Sequence, residues 1–239
     1  MLELFCGRNK SVSTVFEEAG WDCMTLDIDP KADAYFPEDI LKWEFMHLPI
    51  GHFDYIHASP PCVEFSRAKM GERDLATADA LVTRTLFIIA RFKPKFWTIE
   101  NPWGTAQCSL RTRPVMGSLD WALKKCCYCR YAPEWGYQKA TSVHCNLDNW
   151  TPKVCDKDER CSCYVNGRHP KMAQHGQLDG TNISTTELHR IPRRLVEDWL
   201  SAMQDDVSTD AASVATTGSD AELTPVSLEP LGLDGMGEA

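Results

Sequence analysis

The sequence predicts an α/β fold, a doubly wound, Rossmann-like sheet with a small irregular insertion. Three observations predict it. Short apolar runs of strand length, at residues 2–5, 23–26, 53–57 and 95–100, alternate with stretches of helical spacing. The first run is followed by a glycine turn, a helix, a second run and an acid, the layout of a nucleotide-type cofactor site. From residue 126 the pattern gives way to Cys, His, Pro and Gly before one last amphipathic helix.

Length and composition set the frame. The 239 residues suffice for one domain of ordinary size and a tail, and 43% hydrophobic content supports a proper core. No apolar run reaches the ~18–20 residues of a membrane span. The chain opens on Leu2-Glu-Leu-Phe5 with no basic segment before it, so no signal peptide is expected. Eleven cysteines without a secretory signal indicate an intracellular chain with reduced thiols and one candidate metal site. The net charge of −9 is concentrated at the end: residues 204–239 carry eight acids and no Lys or Arg, which leaves the body near neutral. That segment lacks aromatic residues and apolar periodicity, so a disordered acidic tail is expected. A near-neutral body is compatible with a local basic face.

Each element follows in order. Residues 2–5 read as a strand and Cys6-Gly7-Arg8 as a turn. Ser11 or Ser13 is positioned to cap a helix that carries Val12, Val15, Phe16 and Ala19 on one face and ends at Gly20. Residues 23–26 form a second strand closed by Asp27-Ile28-Asp29-Pro30. An acid at that strand end accepts hydrogen bonds from ribose hydroxyls, and the helix N-terminus supplies its dipole. Asp39 and Ile40 stand at a candidate third strand end, Asp39 within reach of an adenine amino group and Ile40 against its face. A surface acid in a loop is the plainer reading of Asp39.

The organising stretch is Asp54-Tyr-Ile-His-Ala-Ser-Pro-Pro-Cys62-Val-Glu-Phe-Ser66. A buried strand over 53–57 runs into Pro60 and Pro61, which cannot continue a central strand. Cys62 is thereby presented at the carboxyl edge of the sheet, where open α/β folds bind ligands. A thiol there suits a nucleophile; a buried structural cysteine is the alternative. Ser66, Arg67, Lys69 and Arg73 follow as a basic segment, and residues 74–92 have helical spacing. A strand over 95–100 ends in Glu100-Asn-Pro-Trp-Gly104, which places a second functional group at the same edge. Arg111 and Arg113 form a further positive spot suited to phosphates.

Beyond Cys126 the reading changes. Residues 136–146 form a turn and a strand. Cys155, Cys161, Cys163, His169 and His175 then fall in a loop with little core of its own. A tetrahedral zinc site on Cys155, Cys161, Cys163 and His169 would order it, with Cys129 or Cys126 able to replace one ligand; reduced thiols without metal are the alternative. Residues 191–200 are an amphipathic helix with Pro192 at its first turn. The expected organisation is a catalytic domain over 1–146, a Cys/His-rich region over 147–184, a closing helix over 185–203 and the tail.

Taken together, these motifs resemble the C5-cytosine methyltransferase family, in particular its short viral or phage-type members. Glu3-Leu-Phe-Cys-Gly7 is similar to the S-adenosylmethionine loop. Ser59-Pro-Pro-Cys-Val-Glu-Phe-Ser66 is similar to the nucleophile motif, and Thr98-Ile-Glu-Asn-Pro102 to the Glu-Asn motif. They occur in the family's order, over about residues 1–147. The resemblance implies an S-adenosylmethionine-dependent methyltransferase acting on a cytosine flipped out of double-stranded DNA. Cys62 would add to C6 and Glu100 would hydrogen-bond N3. Leu4, Phe5, Cys6, Gly7 and Pro60 would line the cofactor, Asp27 would hold its ribose, Ile28 would lie on its adenine, and Asp39 and Ile40 would meet the adenine edge. Ser66, Arg67, Lys69, Arg111, Arg113 and Lys139 would contact DNA.

Two departures from the family stand out. Where the eighth motif usually carries an Arg-x-Arg pair, the matching stretch is Gln138-Lys-Ala-Thr-Ser142, with Lys139 its one cation. Only about residues 146–185 remain for target recognition, so a small zinc-ordered module is expected to serve. An RNA cytosine methyltransferase and a catalytically weak nucleic-acid-binding module are the competing readings. The oligomeric state is not legible; a monomer is the working expectation.

Overall fold

A computed structural model describes residues 1–66, 69–105, 109–118, 121–158, 161–172 and 183–216. Its main sheet is built from β1 (Leu2–Leu4), β2 (Met24–Leu26), β3 (Tyr55–Ala58), β4 (Phe96–Pro102), β5 (Ala122–Cys127) and β7 (Ala140–Cys145). The strand order is β2-β1-β3-β4-β7-β5. The first four run parallel; β7 is antiparallel to both β4 and β5. Two short strands, β6 (Tyr137–Gln138) and β8 (Lys171–Met172), pair separately and in parallel.

The strand order reverses at β1: the chain moves to β2 on one side and returns to β3 on the other. The crevice beyond the carboxyl ends of β1 and β3 is therefore the topological switch point, where this architecture places ligands. The strands reach it because alternate residues feed opposite cores, as a parallel sheet covered on both faces requires. Leu2, Leu4, Ile56, Ala58 and Ile99 point into one core with α2 (Leu75–Phe92). Tyr55, Phe96, Val143 and Cys145 point into the other with α1 (Ser13–Glu18) and α4 (Arg193–Thr216). Trp199 of α4 is fully buried there, its ring 5.4 Å from that of His57 on β3. Burial of one such side chain is worth roughly 1.5–3 kcal/mol.

Several expectations change. The N-terminus of α1 has no side-chain cap from a serine. Instead Glu3 of β1 accepts from the backbone N–H groups of Val12 (3.3 Å) and Ser13 (2.8 Å). A buried carboxylate at the positive end of a helix replaces the expected hydroxyl. No third strand ends at Asp39; the nearest pairing is an isolated bridge between Leu26 and Phe36. The strand β5 was not read from the sequence, because Lys124-Lys125-Cys126-Cys127 has no clean alternation and exists as a strand by pairing with β7. Lastly, α4 runs past residue 204 to Thr216, so the first part of the expected tail is helical; residues 217–239 lie outside the described residues.

The region after residue 147 is joined to the sheet side rather than standing apart. Its strand β8 pairs with β6, immediately before β7. A short helix, α3 (Thr185–Leu188), then leads to α4, and the Asn9 amide donates to the Thr186 carbonyl at 2.7 Å.

Candidate active site

The switch-point side is assembled by backbone geometry and one carboxylate. Phe5 and Gly7 both have positive φ, 60° and 56°, so the chain turns sharply as it leaves β1. Nothing lies within 4 Å of where a Cβ on Gly7 would stand, which leaves open space above the turn. Asp27, just past β2, spans the two loops: it accepts from the N–H of Gly7 and from that of Asp29, each at 2.8 Å. Arg8 pairs with Asp29 at 2.9 Å and ties the same loops outside. Ile28, next to Asp27, is an apolar side chain left 69% exposed. This arrangement fits an adenosyl group.

Four of the expected cofactor residues are turned inward or held within their own turn. Leu4 and Ile40 are buried in the α2-side core, at 0% and 3% exposure. Leu4 shows its carbonyl to the loop after β3, accepting from Ser59 at 3.3 Å. Ile40 packs inside because its turn is clamped by Arg84, which donates to the Ile40 carbonyl. Cys6 is also buried, and burial pushes its thiol up to about 12, so it is chemically quiet. Asp39 is half-buried and accepts from the Leu41 N–H at 3.0 Å, closing its own turn.

The catalytic side is assembled by cross-strand contacts. Glu100 ends the apolar part of β4 and is buried; Asn101 follows it and donates to the Pro60 carbonyl at 2.9 Å. That bond fastens the Glu-Asn strand end to the Pro-Pro-Cys loop. Asn101 is held in turn by Ser142 of β7, whose hydroxyl donates to its carbonyl at 2.8 Å. Behind the loop, His57 bridges Thr98 (2.7 Å) and Ser59 (2.9 Å), and burial keeps its imidazole down to about 3, hence neutral.

Glu100 has two partners on one oxygen. The Tyr128 hydroxyl donates to Oε1 at 2.8 Å, and the Lys139 ammonium is 3.8 Å from it. Lys139 also lies over the Tyr128 ring and donates to the Leu188 carbonyl at 3.1 Å. Burial raises the Cys62 thiol above its ordinary value; the Lys139 charge opposes this and the Glu100 charge adds to it. Cys62, Glu100 and Lys139 thus form one electrostatic unit. Burial, then the Glu100 charge, hold the Tyr128 hydroxyl well above the usual phenol range, so it remains a donor. Tyr128 was not found from the sequence. The only signal was an aromatic residue inside a cysteine-rich run.

The cations expected on DNA divide differently. Lys139 is drawn to the catalytic carboxylate. Arg113 makes a two-point ion pair with Asp79 of α2, and Lys69 pairs with Glu64 at 2.8 Å. Both are thus tied to carboxylates of neighbouring segments in this structure. Arg111 stacks over the Trp103 ring at 4.5 Å, with Lys125 against the same ring at 5.2 Å. Ser66 accepts from Arg73 through its carbonyl. Arg67 and His175 lie outside the described residues.

The Cys/His expectation is corrected in one ligand. Cys129, Cys155, Cys161 and His169 bring one ligand atom each to within 4.8 Å of one another. The His169 Nε2 is 3.7 Å from the Cys155 sulfur and 3.5 Å from that of Cys161. Cys129, from the sheet side, takes the place expected for Cys163. Cys163 lies beside the group, 3.6 Å from Cys161, with its thiol toward the Cys129 carbonyl. The ten described cysteines are free thiols.

Among the described residues no helix is long and apolar enough to cross a membrane. No protein-family profile matches the chain. Two solved structures are similar: one described as a DNA modification methyltransferase encoded within an E. coli prophage, and the S. pombe Dnmt2 methyltransferase. Both are 18% identical, with TM-scores of 0.43 and 0.37 over 64% and 60% of this chain. The chain spans about half the length of each, 50% and 49%. A relative from Frog virus 3 (isolate Goorha), named "Probable DNA (cytosine-5)-methyltransferase", is 30% identical over 175 residues, 67% of this chain and 77% of its own length. On that shared sequence the chain belongs to the DNA (cytosine-5)-methyltransferase family.

Proposed function

We propose that this protein transfers a methyl group from S-adenosylmethionine to C5 of cytosine in double-stranded DNA. The observation that carries the reading is the junction of Cys62, Glu100 and Lys139 at the carboxyl edge of β3 and β4, fastened by the Asn101–Pro60 hydrogen bond. C5 of cytosine is a weak nucleophile on its own. The Cys62 thiolate adds to C6 and makes C5 enamine-like, while the Glu100 carboxyl hydrogen-bonds N3 and stabilises the charge that develops there. Lys139, in place of the family's arginine pair, favours the thiolate and anchors Glu100. Loss of the C5 proton and β-elimination then return Cys62. The bound cofactor supplies the electrophilic methyl group.

The remaining residues bind and orient. Gly7 and the Phe5 turn leave room for the cofactor, Asp27 accepts from its ribose hydroxyls and Ile28 covers its adenine. The cytosine must leave the duplex to reach a thiol at this depth. Arg111 and Lys125, both against Trp103, supply positive charge for the phosphates. The Cys129, Cys155, Cys161 and His169 group holds zinc: three thiolates and an imidazole suit it, and their ligand atoms lie within 4.8 Å of one another, with the His169 nitrogen 3.7 Å and 3.5 Å from two of the sulfurs. The zinc-ordered loop is the reader of the target sequence. Reduced thiols and this chemistry fit an intracellular setting.

The test is transfer of labelled methyl from S-adenosylmethionine to duplex DNA, with total tRNA as parallel acceptor and Cys62→Ala as control. Incorporation into DNA that Cys62→Ala abolishes, with cofactor binding intact, is expected. Incorporation into tRNA alone would move the substrate to RNA, and full activity in Cys62→Ala would remove the nucleophile assignment.

A further inference from the structure

Tyr128 plays no part in the family reading, yet its position is tightly specified. It is fully buried, and its hydroxyl reaches the catalytic carboxylate. It stands on a single 3₁₀ turn, Tyr128–Arg130. The next residue, Cys129, is one of the four clustered ligands. A phenol that touches the catalytic centre and a thiol that touches the metal cluster are therefore neighbours on one turn.

The backbone ties of that turn lead to the same two centres. The Cys127 N–H donates to the Lys153 carbonyl at 3.0 Å, two residues before the ligand Cys155. The Tyr128 N–H donates to the carbonyl of Lys139, also at 3.0 Å, and Lys139 is the cation beside Glu100. Unlike a self-contained finger, the ligand set joins two segments: Cys129 from the sheet side, the other three from the 155–169 loop. A metal here crosslinks that loop to the turn that carries Tyr128.

We infer that this zinc is a mount for the catalytic carboxyl, and that Tyr128 is a positioning residue for Glu100. The inference rests on the reading of Glu100 as the group that meets cytosine N3. The physical argument is one of donor count. A tyrosine has one O–H, and it donates to Oε1. A neutral carboxyl also has one O–H, and it cannot lie on an oxygen that already accepts from a phenol and faces an ammonium. The proton offered to the base is thereby assigned to Oε2. Without the phenol the carboxyl is free to turn and to hold its proton on either oxygen. Without the metal the turn keeps its hydrogen bonds to the segment that carries the loop ligands, at Lys153 and Cys163, and loses the tighter crosslink. Partners that orient a functional group in this way typically change activity ~10–100-fold when removed.

The full chain, purified with its zinc, serves for the test. Metal content, S-adenosylmethionine affinity, steady-state methyl transfer to DNA, and hydrogen exchange of peptides over 98–103 and 126–131 are measured. Tyr128→Phe is expected to retain zinc, melting temperature and both KM values while kcat falls ~10-fold, the upper range for the loss of one neutral hydrogen bond. Chelation of zinc, and separately Cys155→Ser, are expected to speed exchange in both peptides and lower kcat without changing cofactor affinity. Wild-type kcat in Tyr128→Phe would overturn the positioning role. Absence of stoichiometric zinc, or equal exchange with and without it, would overturn the mount. If the wild-type chain transfers no methyl group, the catalytic reading of Glu100 fails and the positioning role with it; the exchange comparison still decides whether zinc holds the turn.

Discussion

The two sides of the cleft are built in different ways. The cofactor side, β1–α1–β2, is local: Glu3, Gly7, Val12 and Asp27 lie within 25 residues of one another, Asp27 accepts from backbone N–H groups of its own loops, and the space above Gly7 is open. The catalytic side gathers Pro60, Glu100, Tyr128, Lys139 and Ser142 from four strands and the turns after them, and its polar groups are already partnered. The difference teaches where each side is vulnerable. Damage to the local side should appear in folding and cofactor affinity, damage to the gathered side in the rate.

The largest free energy belongs to Glu3. Burial raises its carboxyl from 4.5 to about 7 despite the two N–H groups it accepts. The unfolded chain releases that proton near 4.5 and the folded chain holds it to about 7. Its contribution to stability is therefore fully present below the lower value and is lost as pH rises through the upper one, on the order of 3 kcal/mol in all. Melting temperature measured from pH 5 to 8 should fall for the wild type and stay flatter for Glu3→Gln. Parallel profiles would show that Glu3 is not the titrating group.

Asp27→Ala comes next. It strands two backbone N–H groups and removes the expected ribose acceptor, so S-adenosylmethionine affinity should drop ~100-fold, about 2.7 kcal/mol. At saturating cofactor kcat should be nearly kept. An equal loss of kcat would mean that the two sides are not separable. Calorimetry and initial rates together decide this.

Lys139→Met sharpens the other side. Removing the cation that opposes burial pushes the Cys62 thiol up further, so the rising limb of the pH–rate profile should move to higher pH. The rate near neutrality should fall ~10-fold if one close charge contact is lost. Cofactor affinity should not change. An unmoved limb would separate Lys139 from the thiol.

The smallest effect is expected for Asn101→Ala, which frees the Pro60 carbonyl and loosens the nucleophile loop. A neutral hydrogen bond is worth about 1 kcal/mol, so kcat should fall ~5-fold, with cofactor affinity again constant. A change confined to affinity would place the loop on the cofactor side.

Much of this molecule was legible from its sequence. Short-range patterns carry their own physics: Gly7 where the chain turns with positive φ, Pro60-Pro61 where a strand must stop, the apolar spacing of α2 with Asp74 capping it through the Thr77 N–H. The placing of Cys62 and Glu100 follows, because Cys62 lies in the turn that Pro60-Pro61 forces after β3 and Glu100 lies toward the end of the neighbouring β4. What stayed hidden depends on partners distant in the chain. Lys124-Lys125-Cys126-Cys127 becomes a strand only beside β7. The choice of Cys129 over Cys163 among the candidate ligands needs the fold, because the two are 34 residues apart, one on the turn after β5 and the other in the 155–169 loop. Ile40 enters the core where a pocket role was expected.

The sequence by itself determined the α/β order, the turn after β1, and the placing of Cys62 and Glu100 at neighbouring strands of one sheet, since each is encoded within a few adjacent residues. Only the tertiary structure decided which cations remain available and which are consumed by Asp79, Glu64 and Glu100. It alone brought Tyr128 to the carboxylate and Cys129 to the loop of thiols. Side chains more than twenty residues apart meet through the register of strands and the closure of loops, and no local spacing records that geometry.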